Sequence, residues 1–247
     1  MAQFGYPNPA KVEAEGQSEG CMNILELSYN HLPEYLKPCF LYYGAFPQGE
    51  QVKVRRLTQL WVSEGFIPNT EGFIPNKGGE KRPEDVAMDF LMDLIDRSLV
   101  TIAKMTYGVV IKECRIHDLL FDFCLAKAKE DNFLWTQMDS WYNSNMEYQE
   151  YRLSMNGESS GFLVESLPTS TFYARTLLLN SWVKQNPSFC MKFKFLKIFD
   201  SFRFYVSGAA DLLRFIPLTH LRHLVLKNLP TINGKSSELG SFSSWFD

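Results

Sequence analysis

Residues 113–130 read ECRIHDLLFDFCLAKAKE and set His117 directly before Asp118. A His beside an Asp is the material of a hydrolase dyad, so that chemistry comes first. On a helix, neighbours in sequence do not face each other. The chain also lacks a G-x-S-x-G elbow to supply a nucleophile. The pair does not read as a catalytic dyad. Anion binding is the second chemistry. A helix start carries unpaired backbone N–H groups and partial positive charge. A neutral His there could donate one hydrogen bond to a phosphate. Asp118, in the first turn, suits the same dipole and reads as a helix stabiliser. From these residues alone, a plain cap without a ligand is the simpler alternative. Metal binding is poorly supported. Cys114 and His117 stand three apart, as do His220 and His223, but neither pair has a second at zinc spacing. No G-x-x-x-x-G-K-[ST] loop is present, nor an apolar strand ending in paired carboxylates. The sequence therefore offers no apparatus for nucleotide hydrolysis.

The elements that position this pair are legible in the pattern. Residues 1–20 are polar and read as a disordered leader. Residues 22–32 and 34–46 form two short apolar-rich helices broken at Pro33. Residues 54–66 form a third, with Val54, Leu57, Leu60 and Trp61 at helical spacing and Gly65 near its end. EGFIPN at 64–69 recurs at 71–76. The second copy is expected in a surface loop, with Phe73 and Ile74 partly exposed. Residues 82–99 give a fourth helix whose face is Val86, Phe90, Leu91, Leu94 and Ile95. Residues 99–115 read as a β-hairpin turning near Gly108. The helix after it is expected to bury Ile116, Leu119, Leu120, Phe123 and Cys124. Four helices, a hairpin and a helix are compatible with a winged-helix domain.

Beyond 150 the pattern changes. LTHLRHLVLKNL places Leu218, Leu221, Leu224, Leu226 and Leu229 at leucine-rich-repeat spacing. Weaker x-L-x-L cores occur at Leu196 with Ile198, Leu177 with Leu179, and Leu153 with Met155. Their spacing is uneven, and buried strands of an ordinary α/β fold are the alternative. The expected fold class is mixed α/β: a mainly helical winged-helix domain, then a short irregular leucine-rich-repeat solenoid.

The bulk properties bound the rest. The 247 residues are 45% hydrophobic, enough to build a sizeable core. Twenty-five basic and 28 acidic side chains leave a net charge of −3, so nothing draws the whole chain to nucleic acid or anionic membrane. Five cysteines without a C-x-x-C pair suggest a reducing compartment. No apolar run approaches the ~20 residues of a membrane span. The N-terminal stretch does not read as a signal peptide. A winged helix raises DNA binding, but the helix before the hairpin carries Glu84, Asp85, Asp89, Asp93 and Asp96. That charge repels a phosphate backbone, and no DNA partner is expected. The basic cluster Lys53, Arg55 and Arg56 belongs to the preceding helix.

Four stretches in order carry a resemblance: ILELSYNHLPEYLKPCFLYYGAFP (24–47), LTQLWVSEGFI (57–67), EDVAMDFLMDLIDRSLV (84–100) and CRIHDLLFDFCLAKAKE (114–130). They resemble plant nucleotide-binding leucine-rich-repeat immune receptors of the coiled-coil class, in particular the late blight resistance proteins. Residues 131–150, aromatic and polar without clear period, read as a connector, and 234–247 as a truncated tail. The resemblance implies the winged-helix subdomain of a nucleotide switch at 21–130 and the first repeats at 151–233. It implies that His117, at the His of the family's Met-His-Asp motif, approaches the β-phosphate of ADP, with Asp118 in support. Ile116 replaces the motif's Met. Pro33, in LPEYLK, is a weaker nucleotide-site candidate.

The cofactor implied is ADP or ATP in the full-length family. No binding is expected from this chain alone, because one neutral hydrogen bond nets ~1 kcal/mol against the ~8 kcal/mol of micromolar affinity. The implied partners are the nucleotide-binding and coiled-coil domains not seen in this sequence. A pathogen effector or guarded host protein would meet the repeats. The implied location is cytoplasmic, with peripheral membrane association as a variant. The expected role is a switch and recognition part of an immune receptor, without catalysis. Alternatives are a stand-alone interaction or decoy module, a non-functional truncated paralogue and, less favoured, a winged-helix DNA-binding regulator.

Overall fold

The computed structural model describes residue 20 and residues 22–68, 81–136, 152–156, 173–180, 192–201 and 218–226. The leader up to residue 19, the second EGFIPN copy with Phe73 and Ile74, most of the 131–150 connector and the 234–247 tail lie outside them.

Helix α1 (22–30) ends before Pro33, whose fixed φ and missing N–H discourage continuation. After the turn come α2 (Lys37–Leu41) and a 3₁₀ turn (Tyr42–Ala45). Strand β1 (Val52–Lys53) leads directly into α3 (Val54–Glu64). Gly65 closes α3 with φ of 78°, a left-handed conformation that glycine adopts without strain. Helix α4 (Pro83–Asp96) starts on Pro83, with Glu84 and Asp85 in its first turn. Strands β2 (Thr101–Thr106) and β3 (Val110–Arg115) form the expected hairpin, and Gly108 takes φ of 68° in its turn. Helix α5 (Asp118–Glu130) follows at once. The three strands make an antiparallel sheet in the order β1-β3-β2, with Val52 opposite Cys114. Helices against a small sheet with a projecting hairpin make this a winged helix.

One face of α5 departs from expectation. Leu119 is exposed, whereas Phe121 is buried with Phe123, Cys124 and Ala128. The reason is local. Ile116 is buried but lies in the extended link before the helix, so counting helical phase from it points to the wrong face. Phe123 meets Tyr29 edge-on at 5.6 Å, and the Cys124 thiol donates to the Phe40 carbonyl at 3.5 Å. These contacts fix α5 against α1 and α2.

A second, parallel sheet follows: β4 (Trp135–Thr136), β5 (Arg152–Met155), β6 (Thr176–Leu179), β7 (Ile198–Ser201) and β8 (His223–Leu226). Strand β4 falls inside the stretch read as a connector. The ladder also corrects one repeat core. Leu153, Leu177, Phe199 and Leu224 stand in register. Leu196 and Ile198 therefore do not occupy the x-L-x-L positions; Phe199 and Ser201 do. Leu196 instead stands three residues before its strand's ladder position, as Leu221 does in the next unit. The ladder intervals become 24, 22 and 25 residues, more even than the sequence pattern implied. The strand was obscured because it carries Asp200 and Ser201, both fully buried.

The two sheets share one core. Leu178 and Ile198 join the cluster built on Leu36, Phe40, Tyr42, Leu57, Trp61 and Leu91. The opposite face of the parallel sheet buries Leu153, Met155, Leu177, Leu179 and Phe199. No helix of the described residues is long and apolar enough to cross a membrane.

Candidate functional site

His117 sits where β3 hands over to α5. Strand β3 is anchored by Cys114, whose sulfur lies 3.2 Å from the Tyr43 hydroxyl and 3.6 Å from the Val52 carbonyl. Ile116 plugs into the core, and the next two residues are left exposed. His117 has extended backbone angles, φ −72° and ψ 148°, and is the N-cap of α5. Its carbonyl accepts the first helical bond, from Phe121 N–H at 2.9 Å. Its Nδ1 accepts a long bond of 3.4 Å from Leu119 N–H. An accepting Nδ1 carries no proton, so the neutral ring holds its proton on Nε2. Among the described residues Nε2 makes no bond, which leaves one outward donor beside the helix start.

Asp118 is the first helical residue and is exposed. It does not face His117 as a dyad partner. Pro33 lies half-buried in the turn between α1 and α2, and its carbonyl accepts Leu36 N–H at 2.9 Å. The structure thus joins His117 with Asp118 at one corner and ties Pro33 only to its own turn. The Cys114–His117 spacing does not converge on a metal, because the thiol points into the core while the imidazole is exposed. Burial pushes the Cys114 thiol up to about 11, and it pushes Cys39 and Cys124 higher still. None of the three offers a thiolate near neutral pH.

A second constellation, missed in the sequence, joins α3 to the parallel sheet. Arg56 donates from Nε and Nη2 to the Asp200 carboxylate at 2.9 and 3.0 Å, and from Nη2 to Asn180 Oδ1 at 3.1 Å. Glu50 reaches the same guanidinium at 3.4 Å, and the ring of Phe46 lies 5.0 Å beneath it. Glu64, two helical turns on, accepts from Tyr42 Oη at 3.0 Å, Thr176 Oγ1 at 2.7 Å and Arg152 Nε at 2.8 Å. Ser154 Oγ and Asn180 Nδ2 both donate to the Ala45 carbonyl, which ends the 3₁₀ turn. The basic cluster is thereby split: Arg56 is buried, whereas Lys53 and Arg55 are exposed. The available signal was phase. Arg56 lies beside Leu57 and one turn before Leu60, on the buried side of α3.

Burial alone would raise the Asp200 carboxyl. The Arg56 guanidinium, with His223 Nε2 at 3.8 Å, more than offsets this and holds it below the usual range. A depressed folded value stabilises above the unfolded pKa and is lost as pH falls through the folded one. The stability gap between the wild type and Asp200→Asn should stay flat from pH 7 to about 5 and close below about 4. Urea midpoints at half-unit pH steps measure this; a gap that closes already between pH 7 and 5 would contradict it.

The fold defines the class, a winged helix joined through buried charge to a parallel sheet. Residues 45–124 match the family described as the disease resistance protein winged helix domain. The chain is 33% identical over 218 residues to the ToMV susceptible protein tm-2 of Solanum lycopersicum, covering 85% of this chain and 24% of that protein. It is 42% identical over 123 residues to the ToMV resistant protein Tm-2 netted virescent of the same species, covering 50% and 14%. It is 35% identical over 187 residues to the putative late blight resistance protein homolog R1B-16 of Solanum demissum, covering 72% and 14%. The winged helix is that of a plant disease resistance protein, and the chain is homologous to the nucleotide-binding leucine-rich-repeat class. It spans 14% to 24% of the length of these relatives.

Proposed function

We propose that this chain supplies the nucleotide-sensing winged helix and the first leucine-rich repeats of a plant immune receptor. His117 is the sensing residue, Asp118 stabilises its helix, and Pro33 is a secondary candidate from the neighbouring turn. The observation that carries the reading is the His117 cap, where a tautomer-fixed Nε2–H stands beside a helix N-terminus. That donor set fits one edge of a phosphate. In this reading ADP or ATP supplies the phosphate charge that the corner reads. The chain's own part is to hold the ring, through Ile116 below and Leu119 N–H beside it. The described residues place no nucleophile at this corner, and the role proposed is conformational.

The even ladder of four-residue parallel strands supports the repeat reading, with the solenoid starting near β4. The ring of contacts around Arg56 and Glu64 would make winged helix and repeats move as one body. Nucleotide-binding and coiled-coil domains would be partners of the corner, and an effector or guarded host protein the partner of the repeats. A cytoplasmic site of action follows from this role.

The test is nucleotide occupancy. In a chimera carrying this chain in place of the matching segment of a tm-2-type relative, His117→Ala should lower the ADP that copurifies at least several-fold. His31→Ala should not. Nucleotide released by denaturation and counted by chromatography gives the answer. Equal occupancy in all three would remove His117 from the sensing role.

A further inference from the structure

The cleft between the start of α3, helix α4 and the hairpin is a built surface that the His117 corner does not use. It has a volume of about 1140 Å³. Much of the described residues' exposed apolar surface gathers there: Met92, Ile102, Met105, Val109 and Val110 all line it and are exposed. Contiguous apolar surface of this kind marks an interaction site in a stable domain. Methionines at 88 and 92, one turn apart on α4, give a wall that adapts to its occupant.

Charge says what the occupant is. Five cations and two carboxylates line the cleft. Arg82 is paired with Asp85, and Lys104 lies 4.0 Å from Glu113. Lys53, Arg55 and Lys112 have no partner among the described residues. The cleft thus has an apolar floor and a rim of unanswered positive charge. Both strands of the hairpin line the cleft, Ile102 and Met105 from β2 and Val110 from β3. A helix can lay an apolar stripe on the methionines and on these hairpin side chains together. Nucleic acid is the less suited occupant. The floor of Met88, Met92, Ile102, Met105 and Val110 offers a phosphate backbone, which needs polar donors and cations, little to bind.

We propose that this cleft is the docking groove for an amphipathic helix of a protein partner. The helix's apolar stripe meets Met88, Met92 and Met105, and its acidic flank meets Lys53, Arg55 and Lys112. The assignment stands apart from the nucleotide reading of His117.

The experiment is selection from a displayed library of helical 20-residue peptides, with the whole chain as bait. Selected peptides should carry apolar residues at i, i+3 or i+4, and i+7, flanked by Asp or Glu. They should bind Lys53→Glu/Arg55→Glu/Lys112→Glu at least ten-fold more weakly. The milder Arg55→Ala/Lys112→Ala should show a smaller loss with an unchanged unfolding midpoint. No enrichment, basic peptides, or peptides indifferent to both variants would overturn the proposal. So would a 20-base-pair duplex that displaces the peptides and is itself lost in the charge-reversed variant, which would make the cleft a nucleic-acid site.

Discussion

Asp200→Ala should lower the unfolding free energy by about 3–5 kcal/mol, the usual cost of removing one partner of a buried pair. Asp200 is 0% exposed and Arg56 only 8%, so the guanidinium left behind cannot turn to water. Asn180 and Glu50 still reach it, which places the effect toward the lower end. Urea denaturation of the purified variant measures the loss. Arg56→Met with Asp200→Leu should recover most of it, because the cost lies in the orphaned charge and not in the missing attraction. A loss below about 1 kcal/mol for Asp200→Ala would mean that the pair is solvated in solution.

Trp61→Ala should cost about 3–5 kcal/mol through the cavity left in the core. Trp61 is completely buried, with Tyr43 edge-on at 6.4 Å. It lies on α3 between Arg56 and Glu64, so the same helix carries both the core and the joint to the parallel sheet. Against a typical total of about 5–15 kcal/mol, this variant should be partly unfolded at 37 °C. Thermal unfolding followed by circular dichroism checks it. A midpoint within a few degrees of the wild type would show that the indole is not the keystone described here.

How much of this was legible depends on the length and polarity of each element. The third and fourth helices and the hairpin were readable because their apolar periods are long, Gly65 marks a helix end and Gly108 a turn. Strand β1 was not, since two residues have no period and exist as strand only through β3. The α5 face slipped because Ile116 is buried without being helical. Strand β7 was misplaced because its ladder holds Asp200, a residue that strand patterns exclude and that chiefly Arg56, 144 positions away, makes tolerable. Arg56 itself was grouped with Lys53 and Arg55 by composition, although helical phase separates it. Of the site, His117 was placed at a helix start from sequence. Its long Nδ1 bond and the resulting free Nε2–H needed coordinates.

The central claim is that His117 is a phosphate-reading donor with its proton on Nε2. The direct test is a long-range nitrogen–proton spectrum of the four imidazoles, recorded near pH 8.5, well above the ordinary His pKa of about 6.5. His117 should show the Nε2–H tautomer with a bare Nδ1. In the tm-2-type chimera, ADP should shift the His117 ring before those of His31, His220 and His223, while in the chain alone micromolar ADP shifts none. A proton on Nδ1, or another histidine responding first, would contradict the account.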